Sequence, residues 1–199
     1  SALLLATAIG FFRGNSSGER EAEAESAATV PPAVTAVDSG ARETATSPRM
    51  DVAFVVDATG SMHDEIEVIK EEIRQVADEI TAGHPRPRVR FALVLYRDKT
   101  DEVVVETTGL TADVGLVYRR LERMQAKGGG DRREHVLGGL EAALNLDWQM
   151  GPQVSRSIYL VGDAPAHTDY PRGPKMDEIV DEAHRRGIPI ETIGCSGIQ

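Results

Sequence analysis

The 199 residues contain a single cysteine, Cys195. An internal disulfide is therefore impossible, and one thiolate cannot build a metal site by itself. A basic excess is also missing. Twenty-two Lys and Arg stand against 32 Asp and Glu, for a formal net charge of −10. Neutralising a phosphate backbone needs a basic face, so the balance argues against nucleic acid as a partner. The 19 glycines include no GxxxxGK[ST] phosphate loop. Apolar runs of membrane-spanning length are absent too. The stretch ALLLATAIGFF at 2–12 falls well short of the about 20 residues that cross a bilayer.

What the chain does have falls into three parts. Residues 1–13 are apolar and include the small-x-small triplet Ala6-Thr7-Ala8. They read as the remnant of a signal peptide or membrane anchor. Residues 14–49 are rich in Ser, Ala, Thr, Glu and Pro, with no sustained apolar period. Such a segment cannot bury enough surface to offset its ordering entropy, so it reads as a flexible spacer. Together the two parts suggest an extracytoplasmic protein, secreted or tethered to a membrane through its N-terminus. Residues 50–199 form the folded domain, with apolar content to match: 41% of the chain is hydrophobic.

In that domain, strand-like and helix-like runs alternate. Met50–Val56 is apolar but for Asp51, the pattern of a strand covered on both faces. A helix is expected over His63–Ala82, where Ile66, Ile69, Ile73, Val76 and Ile80 make one stripe. Strands are expected at Val89–Tyr96, Glu102–Thr107, Ser157–Val161 and Ile188–Gly194, and helices at Ala112–Met124, Asp131–Leu146 and Lys175–Arg186. The short RDKTD link makes the second and third strands a hairpin, with the third at an edge. This alternation predicts an α/β fold: a doubly wound, mostly parallel, Rossmann-like sheet with one antiparallel edge strand and helices on both faces. Ligands of such sheets bind beyond the carboxyl ends of the strands, where strand order reverses.

Chemistry-bearing residues fall at those ends. The first strand runs into DATGSM at 57–62, which spaces Asp57, Thr59 and Ser61 two residues apart on a tight loop. Asp163 follows the strand SIYLV. One carboxylate, two hydroxyls and a second carboxylate suit a hard divalent cation, Mg²⁺ before Mn²⁺ or Ca²⁺. Asp57 alone could simply end a strand and cap the next helix. His63 and His167 also fall near this rim but lack any ligand spacing, and they read as surface residues. Arg97, in Tyr96-Arg97-Asp98, reads as a structural ion-pair partner, and Cys195 as a small buried residue.

With DATGSM, YRD at 96–98, GGGDRRE at 128–134 and VGDAPAH at 161–167 in this order, the chain resembles the von Willebrand factor type A domain family, in its GGGD-containing branch. The resemblance covers about residues 50–199 and implies a metal-ion-dependent adhesion site. It carries Asp57, Thr59 and Ser61 onto the first loop of that site and Asp163 onto the last. A partner's carboxylate would complete the coordination. Many members place a threonine in the middle loop, where this sequence has Asp131 and Glu134. Asp131 is a fifth candidate metal ligand. The alternative is a helix N-cap, with Glu134 completing a capping box. Members usually continue with a further strand and a final helix, so the domain reads as truncated at its C-terminus.

The resemblance implies a binding module without catalysis, in which a divalent cation grips an acidic side chain of a protein partner. A cytoplasmic regulatory subunit partnering an ATPase is the alternative on the same fold. A Mg²⁺-dependent aspartyl-nucleophile phosphatase fits less well. Thr59 stands where those enzymes carry an acid, and Lys175 lies twelve residues beyond Asp163.

Overall fold

A computed structural model describes residues 47–98, 101, 103–129, 135–163 and 173–194. Segment 1–13, nearly all of the spacer 14–49, Asp131, Glu134, His167 and Cys195 lie outside the described residues. The elements in chain order are β1 (Arg49–Asp57), a 3₁₀ turn (Gly60–Asp64), α1 (Ile66–Thr81), β2 (Arg88–Tyr96), β3 (Val105–Thr111), α2 (Val114–Glu122), α3 (Val136–Leu144), β4 (Val154–Gly162), α4 (Met176–Arg186) and β5 (Ile190–Gly194).

The strands form one five-stranded sheet in the order β3-β2-β1-β4-β5. β1 pairs in parallel with β2 and β4, β4 pairs in parallel with β5, and β3 is the antiparallel edge. β1 lies centrally, so its seven residues from Asp51 to Asp57 are all buried. Alternate residues serve opposite faces. Ala53 and Val55 join Ala92, Val94, Tyr96 and Ile158 against Val136 and Leu140 of α3 and Ile179 and Ala183 of α4. On the other face Phe54 stacks on Phe91 and Tyr159, with ring centroids 6.2 and 5.7 Å apart. Ile69, Ile73 and Val76 of α1 cover Phe54 and Val161 there. Each such side chain contributes about 1.5–3 kcal/mol by leaving water. The helix stripe read from the sequence is thus the buried face of α1, except that Ile80 stays partly exposed.

Three of the boundaries that differ from the sequence reading bear on the site. The chain after β1 enters a 3₁₀ turn before α1, because the fully buried Met62 pulls that turn against the core. The edge strand spans Val105–Thr111, several residues later than Glu102–Thr107. In a hairpin the turn type and loop length fix the register. Here Asp101 closes the turn by donating its N–H to the Asp98 carbonyl, and Arg97 N–H bonds the Val104 carbonyl. Val103 is left half exposed in the loop. The third helix spans Val136–Leu144, with His135 at its N-cap position, where the sequence reading had it start at Asp131. Among the described residues, no helix is long and apolar enough to cross a membrane.

Candidate functional site

The sheet is built outward from β1 in both directions, through β2 to one edge and through β4 to the other. That is the point where strand order reverses, and the ends of β1 and β4 form a crevice there. The β1–β4 register runs to Val56 opposite Val161. Asp57 and Gly162 follow side by side, and Asp163 comes next. Asp57, Thr59, Ser61 and Asp163 therefore meet, as the sequence led one to expect.

Their oxygens form a chain. Thr59 donates its hydroxyl to Asp57 Oδ1 at 2.6 Å and its backbone N–H to the same oxygen at 2.9 Å. Thr59 Oγ1 lies 3.1 Å from Ser61 Oγ. Ser61 donates to Asp163 Oδ1 at 3.1 Å. Asp57 and Thr59 are fully buried, whereas Ser61 is exposed and Asp163 is half-buried. With both carboxylates ionised, two hydroxyl hydrogens must serve three oxygen–oxygen contacts. One pair of oxygens then faces lone pair to lone pair.

The second Asp57 oxygen, Oδ2, is buried without a hydrogen-bond partner among the described residues. Burial pushes the Asp57 carboxyl above its ordinary pKa, and the Asp163 charge adds to this. The Thr59 hydroxyl and amide oppose the rise, and the Tyr96 hydroxyl does so more weakly. Tyr96 faces the carboxylate without meeting hydrogen-bond geometry at Oδ2. Room for this arrangement comes from Gly162. A Cβ there would lie 2.6 Å from the Tyr96 hydroxyl oxygen and 3.5 Å from Asp57 Oδ2.

The donor set fits a hard cation. Ligands about 2.1 Å from an octahedral ion sit about 3 Å apart, close to the two 3.1 Å spacings here. No three His, Cys, Asp or Glu converge among the described residues. A hydroxyl-rich cup with two carboxylates matches the sparse protein coordination that Mg²⁺ accepts.

Backbone bonds brace the first loop. Ala58 N–H bonds the Tyr96 carbonyl at 2.9 Å, Lys127 N–H bonds the Ala58 carbonyl at 2.9 Å, and Gly60 N–H bonds the Gly128 carbonyl at 3.1 Å. The middle loop thus reaches the cup through main chain at Lys127 and Gly128. His63 is exposed on the 3₁₀ turn, and Arg97 makes no ion pair among the described residues. Sequence reasoning missed the packing of Tyr96 and Gly162 against Asp57. It also missed Asp101, whose Oδ2 accepts from Gly129 N–H at 3.0 Å. The GGG at 128–130 was the available signal, since successive glycines mark backbone that something must hold.

The model of the von Willebrand factor A domain family matches residues 51–194. The chain is 27% identical over 146 residues to the alpha-protein kinase vwkA of Dictyostelium discoideum, covering 67% of this chain and 23% of that protein. It is 26% identical to mouse hemicentin-2, over 72% of this chain and 3% of that protein. It is 34% identical over 98 residues to rat von Willebrand factor A domain-containing protein 7, over 49% of this chain and 10% of that protein. The chain therefore spans under a quarter of the length of each. Among solved structures, the pilus adhesin SpaC of Lactobacillus rhamnosus GG superposes with a TM-score of 0.56 at 13% identity, over 75% of this chain and 25% of the adhesin. Proximal thread matrix protein 1 of the mussel byssus does so at 0.54 and 18% identity, over 76% of this chain and 37% of that protein. On the family match across residues 51–194, the chain belongs to the von Willebrand factor A domain family.

Proposed function

We propose that the domain is a protein-interaction module whose oxygen cup holds a divalent cation, Mg²⁺ foremost, which in turn binds an acidic side chain of a protein partner. The observation that carries this reading is the hydrogen deficit of the cup. Three oxygen–oxygen contacts share two hydroxyl hydrogens, beside a buried carboxylate oxygen without a partner among the described residues. A cation relieves both defects and favours the charged form of Asp57 that burial disfavours. Thr59, Ser61 and Asp163 would hold the ion, with Asp57 directly or through water. Asp131, on the same middle loop as Gly128, would be a further ligand. Ser61 is exposed, so the open side of the site faces solvent, where a partner's carboxylate can reach it.

We assign the cup no chemistry of its own. Asp57 is fully buried and one of its oxygens is engaged by Thr59, a poor disposition for a nucleophile. The apolar residues 2–12 and the Ser/Thr/Pro-rich stretch at 14–49 support a tethered, extracytoplasmic placement over a cytoplasmic ATPase partner.

The test is calorimetric titration of the chain with Mg²⁺, Mn²⁺ and Ca²⁺, wild type beside Asp57→Ala. It is followed by selection of displayed peptides with and without the bound ion. Saturable binding lost in Asp57→Ala, and peptides rich in Asp or Glu that are released by chelator, are expected. A folded wild type that binds no cation sinks the reading.

A further inference from the structure

We propose that Asp101 is a positioning residue for the oxygen cup, acting through Gly128 and Gly129 on the amide of Gly60. The proposal rests on the reading of the cup as a cation site.

A relay of short contacts leads from one to the other. Asp101 Oδ2 accepts two backbone N–H bonds, from Asp98 at 3.1 Å and from Gly129 at 3.0 Å. The same carboxylate lies over Gly128, where a Cβ would meet its oxygens at 2.3 and 2.5 Å. Gly128 and Gly129 both hold left-handed backbone, with φ of 82° and 84°. Two successive glycines in that region give up more conformational freedom than any other pair of residues would. Something must hold them, and among the described residues Asp101 is in contact with both.

The held segment then touches the cup. The Gly128 carbonyl accepts the Gly60 N–H at 3.1 Å, and a Cβ on Gly60 would lie 3.0 Å from that carbonyl oxygen. Gly60 stands between Thr59 and Ser61, the two hydroxyl residues. Its position therefore sets the 3.1 Å spacing of their oxygens. A ligand cup tolerates displacements of only about 0.5 Å before affinity falls. Asp101 is not itself one of the cup oxygens; its effect passes through main-chain atoms.

Position and charge can be separated. Both N–H bonds fall on one oxygen, Oδ2. Asparagine can present a carbonyl oxygen there without charge, whereas glutamate keeps the charge and moves it by one methylene. Cation affinity is measured by calorimetry on the 199-residue chain for wild type, Asp101→Ala, Asp101→Asn and Asp101→Glu. Thermal midpoints in chelator check folding, and amide exchange is followed at Gly60 and Val55.

Asp101→Ala and Asp101→Glu are expected to weaken Mg²⁺ at least about tenfold, in the range seen when groups supporting metal ligands are lost. They should also speed exchange at Gly60 and leave Val55 protected. Asp101→Asn should stay within about threefold of wild type, since the bonds survive and only long-range charge is lost. Unchanged affinity in a folded Asp101→Ala overturns the proposal. So does retention by Asp101→Glu with loss in Asp101→Asn, which would make the effect one of charge. So does Gly60 exchange that no variant alters. A wild type that binds no cation is a different failure: it removes the cup reading itself, and the proposal with it.

Discussion

The hydroxyl of Ser61 donates to Asp163 Oδ1 at 3.1 Å, joining residues 102 positions apart in the chain. The bond exists because β1 and β4 are neighbours in the sheet although β2 and β3 lie between them in sequence. It closes the cup across the crevice. Asp163→Ala is expected to lower Mg²⁺ affinity by about tenfold or more, and Ser61→Ala to do the same. The bond is exposed, so each change should cost no more than about 1 kcal/mol of metal-free stability. Calorimetry and urea denaturation of the same preparations test both halves. Equal affinity in either variant and wild type would remove that residue from the site.

Asp57 gives the domain a pH signature. Burial first, then the Asp163 charge, hold its carboxyl above the ordinary value against the pull of Thr59 and Tyr96. A carboxyl whose pKa is raised by folding binds its proton more tightly in the native state. Its contribution to metal-free stability is fully present below the ordinary carboxylate pKa and is lost as pH rises through the raised value. Asp57→Asn should therefore raise the thermal midpoint of the metal-free protein at neutral pH, with the advantage shrinking in acid. Cation affinity of the wild type runs the other way over the same window, because protons compete for the ligand. Melting curves with chelator from pH ~4 to ~8, bracketing the carboxylate range, check the first claim. An Asp57→Asn variant less stable than wild type at neutral pH would contradict it.

Gly162 is required by Tyr96. A Cβ at 162 would lie 2.6 Å from the buried tyrosine hydroxyl oxygen. Gly162→Ala should destabilise the domain by about 1–3 kcal/mol, the usual cost of overpacking. Removing the hydroxyl relieves that clash. The double variant Gly162→Ala/Tyr96→Phe should recover about 1 kcal/mol of the loss, a coupling typical of residues in contact. Denaturant midpoints for the four members of the cycle measure it. Strict additivity would mean the strain lies elsewhere.

Stability and the cup should separate at the opposite end of β1. Asp51 is fully buried and accepts from Arg90 Nε at 2.9 Å, Arg90 Nη2 at 2.7 Å, the Gln149 backbone N–H at 2.7 Å and Gln149 Nε2 at 3.3 Å. Arg90→Leu leaves that carboxylate with half its support and should cost about 3 kcal/mol, the low end for breaking a buried pair. Six residues of strand, about 20 Å, separate Asp51 from Asp57, so cation affinity should not change. A loss of affinity in the folded Arg90→Leu variant would show that the sheet transmits the defect.

Legibility differed by element. β1, β2 and α1 were readable because their burial is simple: a strand covered on both faces shows an unbroken apolar run, as Val52–Val56 and Phe91–Tyr96 do, and a helix covered on one side shows a stripe. β3 was misplaced because its pairing is governed by the turn from Asp98 to Asp101. The valines at 103–105 look like a strand, yet they straddle its start. The candidate site was readable where its residues are local. Asp57, Thr59 and Ser61 declare themselves by a spacing of two, and Asp163 by ending a strand.

Sequence by itself determined the alternation of strands and helices, the residue types of the cup and the rim on which they stand. Those follow from hydrophobic periodicity and from the rule that loops at strand ends carry function. Only the tertiary structure decided that β4 lies beside β1, and so that Asp163 faces Ser61. Only it showed that Asp57 is wholly buried, with its carboxyl pushed up by that burial, that Tyr96 and Gly162 shape the space around it, and that Asp101 accepts from Gly129, the neighbour of the Gly128 bonded to Gly60. Those relationships join residues far apart in the chain. Their strength depends on burial and on distances of a few tenths of an ångström, which no spacing of residue types encodes.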